Sequence, residues 1–118
     1  MRIEIKGRKV AVSDDLRARV EKRFEKISRQ VSTLAELEVE LSEERNPRVA
    51  ASQVAEATLH LKGVTLRARA TASSMVSAIN EIAEDLARQV KRHREKKRGR
   101  RGTQAPAPAA EPADIALG

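Results

Sequence analysis

The chain has 118 residues, enough for one domain with a modest core and too few for two. It contains no cysteine, which excludes disulfide scaffolds, cysteine nucleophiles and thiolate metal sites, and it has no run near the ~20 apolar residues a membrane helix needs. The net charge of +7 is local: residues 88–101 hold nine Lys or Arg against the single acid Glu95, so the rest of the chain sums to −1.

Segregation of that kind gives an oriented molecule with one strongly positive region. The opening "MRIEIKGRKV" has no apolar run after its charges, unlike a signal peptide. The lack of cysteine fits a reducing compartment, and a cytoplasmic protein is expected.

"RIEIK" alternates, with Ile3 and Ile5 on one face and Arg2, Glu4 and Lys6 on the other, as a half-buried strand does. "VSDDLRARVEKRFEKISRQV" then changes to helical spacing, with Leu16, Val20, Phe24, Ile27 and Val31 on one side. Ser13 suits its N-cap, and Asp14 and Asp15 suit the positive end of its dipole.

"ELEVELSEE" alternates again, placing Leu37, Val39 and Leu41 inward and Glu36, Glu38 and Glu40 outward. "NPRVAAS" reads as a loop. "VAEATLHLKGVTLRARATA" is the clearest hairpin. A two-residue Lys62-Gly63 turn would set Leu61 opposite Val64 and match Ala55, Ala57 and Leu59 with Leu66, Ala68 and Ala70.

A second helix is expected from Ser73 or Ser74, with Met75, Ile79, Ile82, Leu86 and Val90 as its apolar stripe. The stripe stops at Val90, yet nothing breaks the helix before Gly99 and Gly102. Its last turns therefore have no core to face. They project, and they are basic. "TQAPAPAAEPADIALG" holds every proline except Pro47 and reads as a disordered tail or linker.

The order strand, helix, three strands, helix implies a first strand parallel to the second, followed by a meander. The expected fold is α+β: a two-layer sandwich, β-α-β-β-β-α, with two helices on one face of a four-stranded sheet. Residues 1–98 form the domain, and residues 99–118 a basic and then Pro/Ala-rich tail.

Catalytic and cofactor signals are missing. His60 and His93 make no metal-ligand spacing, no serine sits in a nucleophile elbow, and no glycine motif cradles phosphate. Glu36, Glu38 and Glu40 alternate along a strand face, where carboxylates are ordinarily solvated. The chain is expected to be no enzyme, with no cofactor and no metal.

Cations supply the candidate site. Arg19, Lys22, Lys26 and Arg29 recur at helical spacing on the first helix, with Arg23 beside them. Arg88, Lys91, Arg92, Arg94, Lys96, Lys97 and Arg98 wrap the projecting turns of the second. A solvated helix surface explains either set alone, but balanced surfaces interleave acids, and Glu21, Glu25 and Glu95 are too few.

A polyanion fits both sets together, bound by counterion release and by arginine forks on phosphate. Phe24 is the only aromatic residue, so base stacking on a sheet surface is excluded and folded RNA read by shape and backbone is expected.

"ATLHLKG", "SSMVSAINEIAEDLARQVKRHREK" and "GRKVAVSDDLRARVEKRFEKI" closely resemble the hibernation-promoting factor family of ribosome-associated translation inhibitors, also called sigma-54 modulation or ribosomal subunit interface proteins. The match covers roughly residues 1–98. The resemblance implies a fold like that of double-stranded RNA-binding domains. It also implies a partner, the small ribosomal subunit with its 16S rRNA, within the 70S ribosome.

By the same resemblance the protein would lie in the channel for messenger RNA and the A- and P-site tRNAs, blocking translation under stress. Arg23, Lys26, Arg88, Arg92 and Arg94 match the family's basic positions, and Gln89 and His93 accompany them. Lys22, Arg29, Lys91, Lys96, Lys97 and Arg98 rest on the charge argument alone.

Long members carry a C-terminal domain through which ribosomes pair. Here a Pro/Ala segment ends the chain, as in a short member or a truncated long one, and the domain is expected to be monomeric. A general RNA-binding or chaperone module of the same shape is the alternative. A regulator using Glu36–Glu44 against a basic protein is a third reading.

Overall fold

The computed structural model describes residues 1–44 and 52–102, with side chains through residue 96. Most of the expected "NPRVAAS" loop and the whole Pro/Ala-rich segment lie outside the described residues.

Strand β1 (Arg2–Arg8) buries Ile3 and Ile5 in part and turns Arg2, Glu4 and Lys6 to solvent, as its alternation requires. Gly7 is needed where the chain folds back. A Cβ there would lie 2.0 Å from the Val10 carbonyl oxygen and 2.9 Å from Val12 Cγ2. Lys9 completes this reversal in the left-handed region at φ 61°.

Helix α1 (Asp14–Arg23) starts at Ser13, whose Oγ accepts the Leu16 amide at 3.2 Å, and carries Asp14 and Asp15 in its first turn. The single helix expected through Val31 is interrupted at Phe24, where the backbone opens to φ −96°, ψ 3°. A short α2 (Glu25–Ser28) follows.

The Phe24 amide donates to the Val20 carbonyl at 3.0 Å and the Ser28 amide to the Phe24 carbonyl at 3.0 Å, so the hydrogen-bonded path survives the break. The chain opens at its one aromatic ring, which is fully buried. Val20 and Ile27 are buried with it, while Leu16 and Val31 stay half-buried at the ends.

The rest is a meander. Strand β2 (Glu36–Glu43) pairs parallel with β1, matching Ile3 with Leu37 and Ile5 with Val39. Strand β3 (Gln53–Leu61) pairs antiparallel with β2, and β4 (Val64–Ala72) antiparallel with β3, giving the order β1-β2-β3-β4. Leu61 faces Val64 across Lys62 and Gly63, as the hairpin pattern requires. Gly63 takes φ 79°, where a Cβ would be strained.

Helix α3 (Met75–Gly102) begins after Ser74, whose Oγ accepts the Ser77 amide at 3.1 Å. Its stripe Met75, Ile79, Ile82, Leu86 and Val90 is buried throughout, together with Ala78 and Ala83. The helix packs against β3 and β4. There the inward side chains of the two strands include Ala55, Ala57, Ala68 and Ala72, small enough for close approach. Helices and inward sheet positions share one core, the α+β two-layer arrangement.

Burial along α3 ends at Val90, and twelve further residues carry the helix roughly 18 Å onward at the usual rise per residue.

Candidate nucleic-acid interface

The stripe that buries Val20, Phe24 and Ile27 leaves the flank of α1 and α2 to longer polar residues, and that flank meets α3 across an open groove of about 940 Å³. Arg19, Lys22, Arg23 and Lys26 line one wall. The facing wall is Asn80, Ala83, Glu84 and Ala87, small and polar instead of basic. Asp15 and Glu25 also border it.

The two sets of cations are therefore displaced along the crease and do not face each other. On α3 the basic side chains begin at Arg88, and Lys91 stands one turn beyond Ala87 on the groove side.

These cations are weakly engaged within the protein. Arg23 reaches Glu84 at 3.9 Å, Arg29 reaches Glu25 at 3.6 Å, and Arg88 reaches Asp85 at 3.8 Å. All are long, solvent-exposed contacts that salt screens and that release the side chains at little cost. Lys22, Lys26, Lys91, Arg92, Arg94 and Lys96 are exposed. Lys97 and Arg98 belong to α3, but their side chains lie outside the described residues.

The accompanying polar positions meet different surroundings. Gln89 turns to the sheet edge and donates its Nε2 to the Arg67 carbonyl at 2.7 Å, tying α3 to β4. His93, one turn further along α3, borders with Arg94 a second depression near Leu34 and Leu61.

The opposite face of the sheet is electrically matched. Glu36 sits between Arg2 and His60, and Glu40 between Lys6 and Glu56. Glu56 Oε2 accepts from Arg69 Nε at 3.0 Å, and Glu38 Oε2 lies 3.4 Å from His60 Nε2. Acids and bases are close to equal in number on this face, although Glu38 stands opposite Glu4 and Glu40 opposite Glu56. The unmatched charge lies on the helical side. Among the described residues no group of three or more potential ligands could hold a metal.

Sequence spacing identified the cations but not the wall opposite them. Asn80 and Glu84 enter the groove through the way α1 packs on α3, which no local pattern encodes. Leu34 carried the one readable signal, a large apolar residue just ahead of the β2 alternation.

Residues 3–98 match the family model described as Sigma 54 modulation protein / S30EA ribosomal protein. The chain belongs to this family. A ribosome hibernation promoting factor of Azotobacter vinelandii is 32% identical over 112 residues, covering 95% of this chain and 100% of that protein. A ribosome hibernation promotion factor of Picosynechococcus is 28% identical over 102 residues, covering 86% of this chain and 53% of its own length.

This chain thus spans the whole of one such relative and about half of the other. Among solved structures, the N-terminal domain of Thermus thermophilus Protein Y superposes with a TM-score of 0.67 at 28% identity, covering 79% of this chain and 99% of that domain. The family's match ends at residue 98, so it takes in the basic turns that project past Val90.

Proposed function

We propose that the protein is a ribosome hibernation factor that binds the small ribosomal subunit through its helical side. It would occupy the channel for messenger RNA and the A- and P-site tRNAs, and so stop translation in idle ribosomes. One observation carries the reading: the sheet face balances its own charges, while the α1–α3 groove and the end of α3 keep exposed cations in one crease. Membership in the family and the names of the relatives support it.

The mechanism needs no chemistry. A folded domain in the channel excludes tRNA and message by volume. Arg19, Lys22, Arg23 and Lys26 contact rRNA phosphates along the groove. Arg88, Lys91, Arg92 and Arg94 extend the contact onto the projecting helix, where none of the other described elements gets in the way. Residues 1–98 would suffice as a monomer, acting in the cytoplasm.

Co-sedimentation with purified small subunits tests this. Binding is expected at ~50 mM salt and should fall steeply as salt rises. It should persist in the presence of excess tRNA, which a general RNA-binding module would not tolerate. Arg88→Glu with Arg92→Glu should abolish co-sedimentation while leaving the circular dichroism and urea midpoint unchanged. Undiminished binding by that double variant would show that the surface is elsewhere.

A further inference from the structure

One turn beyond Lys26 and Ala87 the crease opens into a second depression of about 870 Å³, at the hairpin end of the sheet. Its lining is apolar at Val31, Leu34, Leu61 and Val90. Leu34 is 87% exposed, the one large hydrophobic side chain so placed among the described residues. It is held there by structure: its amide donates to Ser32 Oγ at 3.0 Å, and the Ala35 amide donates to the Ser32 carbonyl at 3.0 Å. A fixed turn thus keeps a leucine at the lip of an apolar hollow.

We propose that this hollow takes a single unpaired nucleotide of a structured RNA, flipped out of its helix while the neighbouring groove holds the backbone. The inference rests on the RNA-binding reading above. An extruded base can lay its apolar faces on Leu34 and Leu61, whereas paired bases present only their edges. The chain has no aromatic platform here, but His93 and Arg94 supply the imidazole and guanidinium planes on which bases also stack.

Lys62 and Arg94 stand on the rim, where the nucleotide's own phosphates would lie, and Arg94 continues the basic run of α3. Glu36 and Glu38 border the hollow on the sheet side. Carboxylates repel phosphate, but they accept hydrogen bonds from exocyclic amino groups, which cytosine, adenine and guanine possess and uracil lacks. The mixed lining suits a base inside and a phosphate outside.

The test uses the full chain and three RNA hairpins that differ at one position: a single bulged cytidine, a single bulged uridine, and no bulge. Affinities are read by fluorescence anisotropy at fixed salt. The bulged cytidine should bind about tenfold tighter than the paired hairpin, the order of one stacked base, with uridine between them.

Leu34→Ser, at a position too exposed to affect folding, should reduce the bulged RNA to the paired level and leave paired binding unchanged. Lys22→Glu with Lys26→Glu should weaken all three alike. Equal binding of bulged and paired RNA, or a preference that survives Leu34→Ser, overturns this inference and leaves the groove intact. A uridine preference overturns the part given to Glu36 and Glu38. Failure of all three hairpins to bind also overturns this inference, whereas the underlying reading falls only if the chain fails to co-sediment with small subunits. If Leu34→Ser changes the sedimentation of the protein alone, the hollow joins copies of the chain and the inference fails.

Discussion

Gly7 leaves no room for a side chain, because the reversal through Lys9 brings the Val10 carbonyl back over it. Gly7→Ala must push backbone against backbone and should lower stability by about 1–3 kcal/mol, read as a fall in the urea midpoint at unchanged m. No cation is disturbed, so the RNA affinity of the folded fraction should stay the same. Gln89 shows why residue type alone misleads at this scale. Beside Arg88 in sequence it looks like part of a phosphate grip, yet its amide is joined to the Arg67 carbonyl on the far side of the helix. Neighbours in sequence point about 100° apart on a helix, and only the docking of α3 decides what each direction meets.

Helix α3 is one element with two physical regimes. Up to Val90 it is held by burial against β3 and β4; beyond Val90 its described side chains meet solvent, apart from half-buried His93. Leu86→Ala should therefore cost about 2–5 kcal/mol, the range for truncating a fully buried leucine. Lys91→Ala, about one and a half turns later, should stay within about 0.5 kcal/mol. Paired urea titrations of the two variants check the contrast; comparable losses would mean that the projecting turns are packed after all. The first helical stretch is the counterpart. Its period was legible from Leu16 to Val31, but the break at Phe24 was not, since the apolar spacing runs through that residue without interruption while the backbone there opens by a few tens of degrees.

The described part of the molecule separates its charge by layer: the sheet's outer face mixes Glu with Arg and Lys in near-equal number, and the helical face keeps its cations exposed. Affinity for RNA should then fall linearly on a log–log plot against salt, with a slope set by the number of phosphates neutralised. Lys22→Gln with Lys26→Gln should reduce that slope by about 1.5, at roughly 0.7–0.9 per lost contact. Titrations between 50 and 200 mM salt measure it. An unchanged slope would remove the α1 wall from the interface and leave only the end of α3.

By itself the sequence determined the order of strands and helices apart from the break at Phe24, the register of the β3–β4 hairpin, the apolar stripes and the stretch where cations outrun acids. All of these are periodic or compositional, and each follows from which side chains can face water. Tertiary packing decided the remainder. It set Asn80 and Glu84, not arginines, opposite Lys22, turned Gln89 to the sheet edge, and gathered Val31, Leu34, Leu61 and Val90 into one hollow from three separate parts of the chain. Contacts between elements depend on how layers rotate and slide as they fill a common core, and that fit depends on the volumes of many side chains at once. No local spacing carries that information.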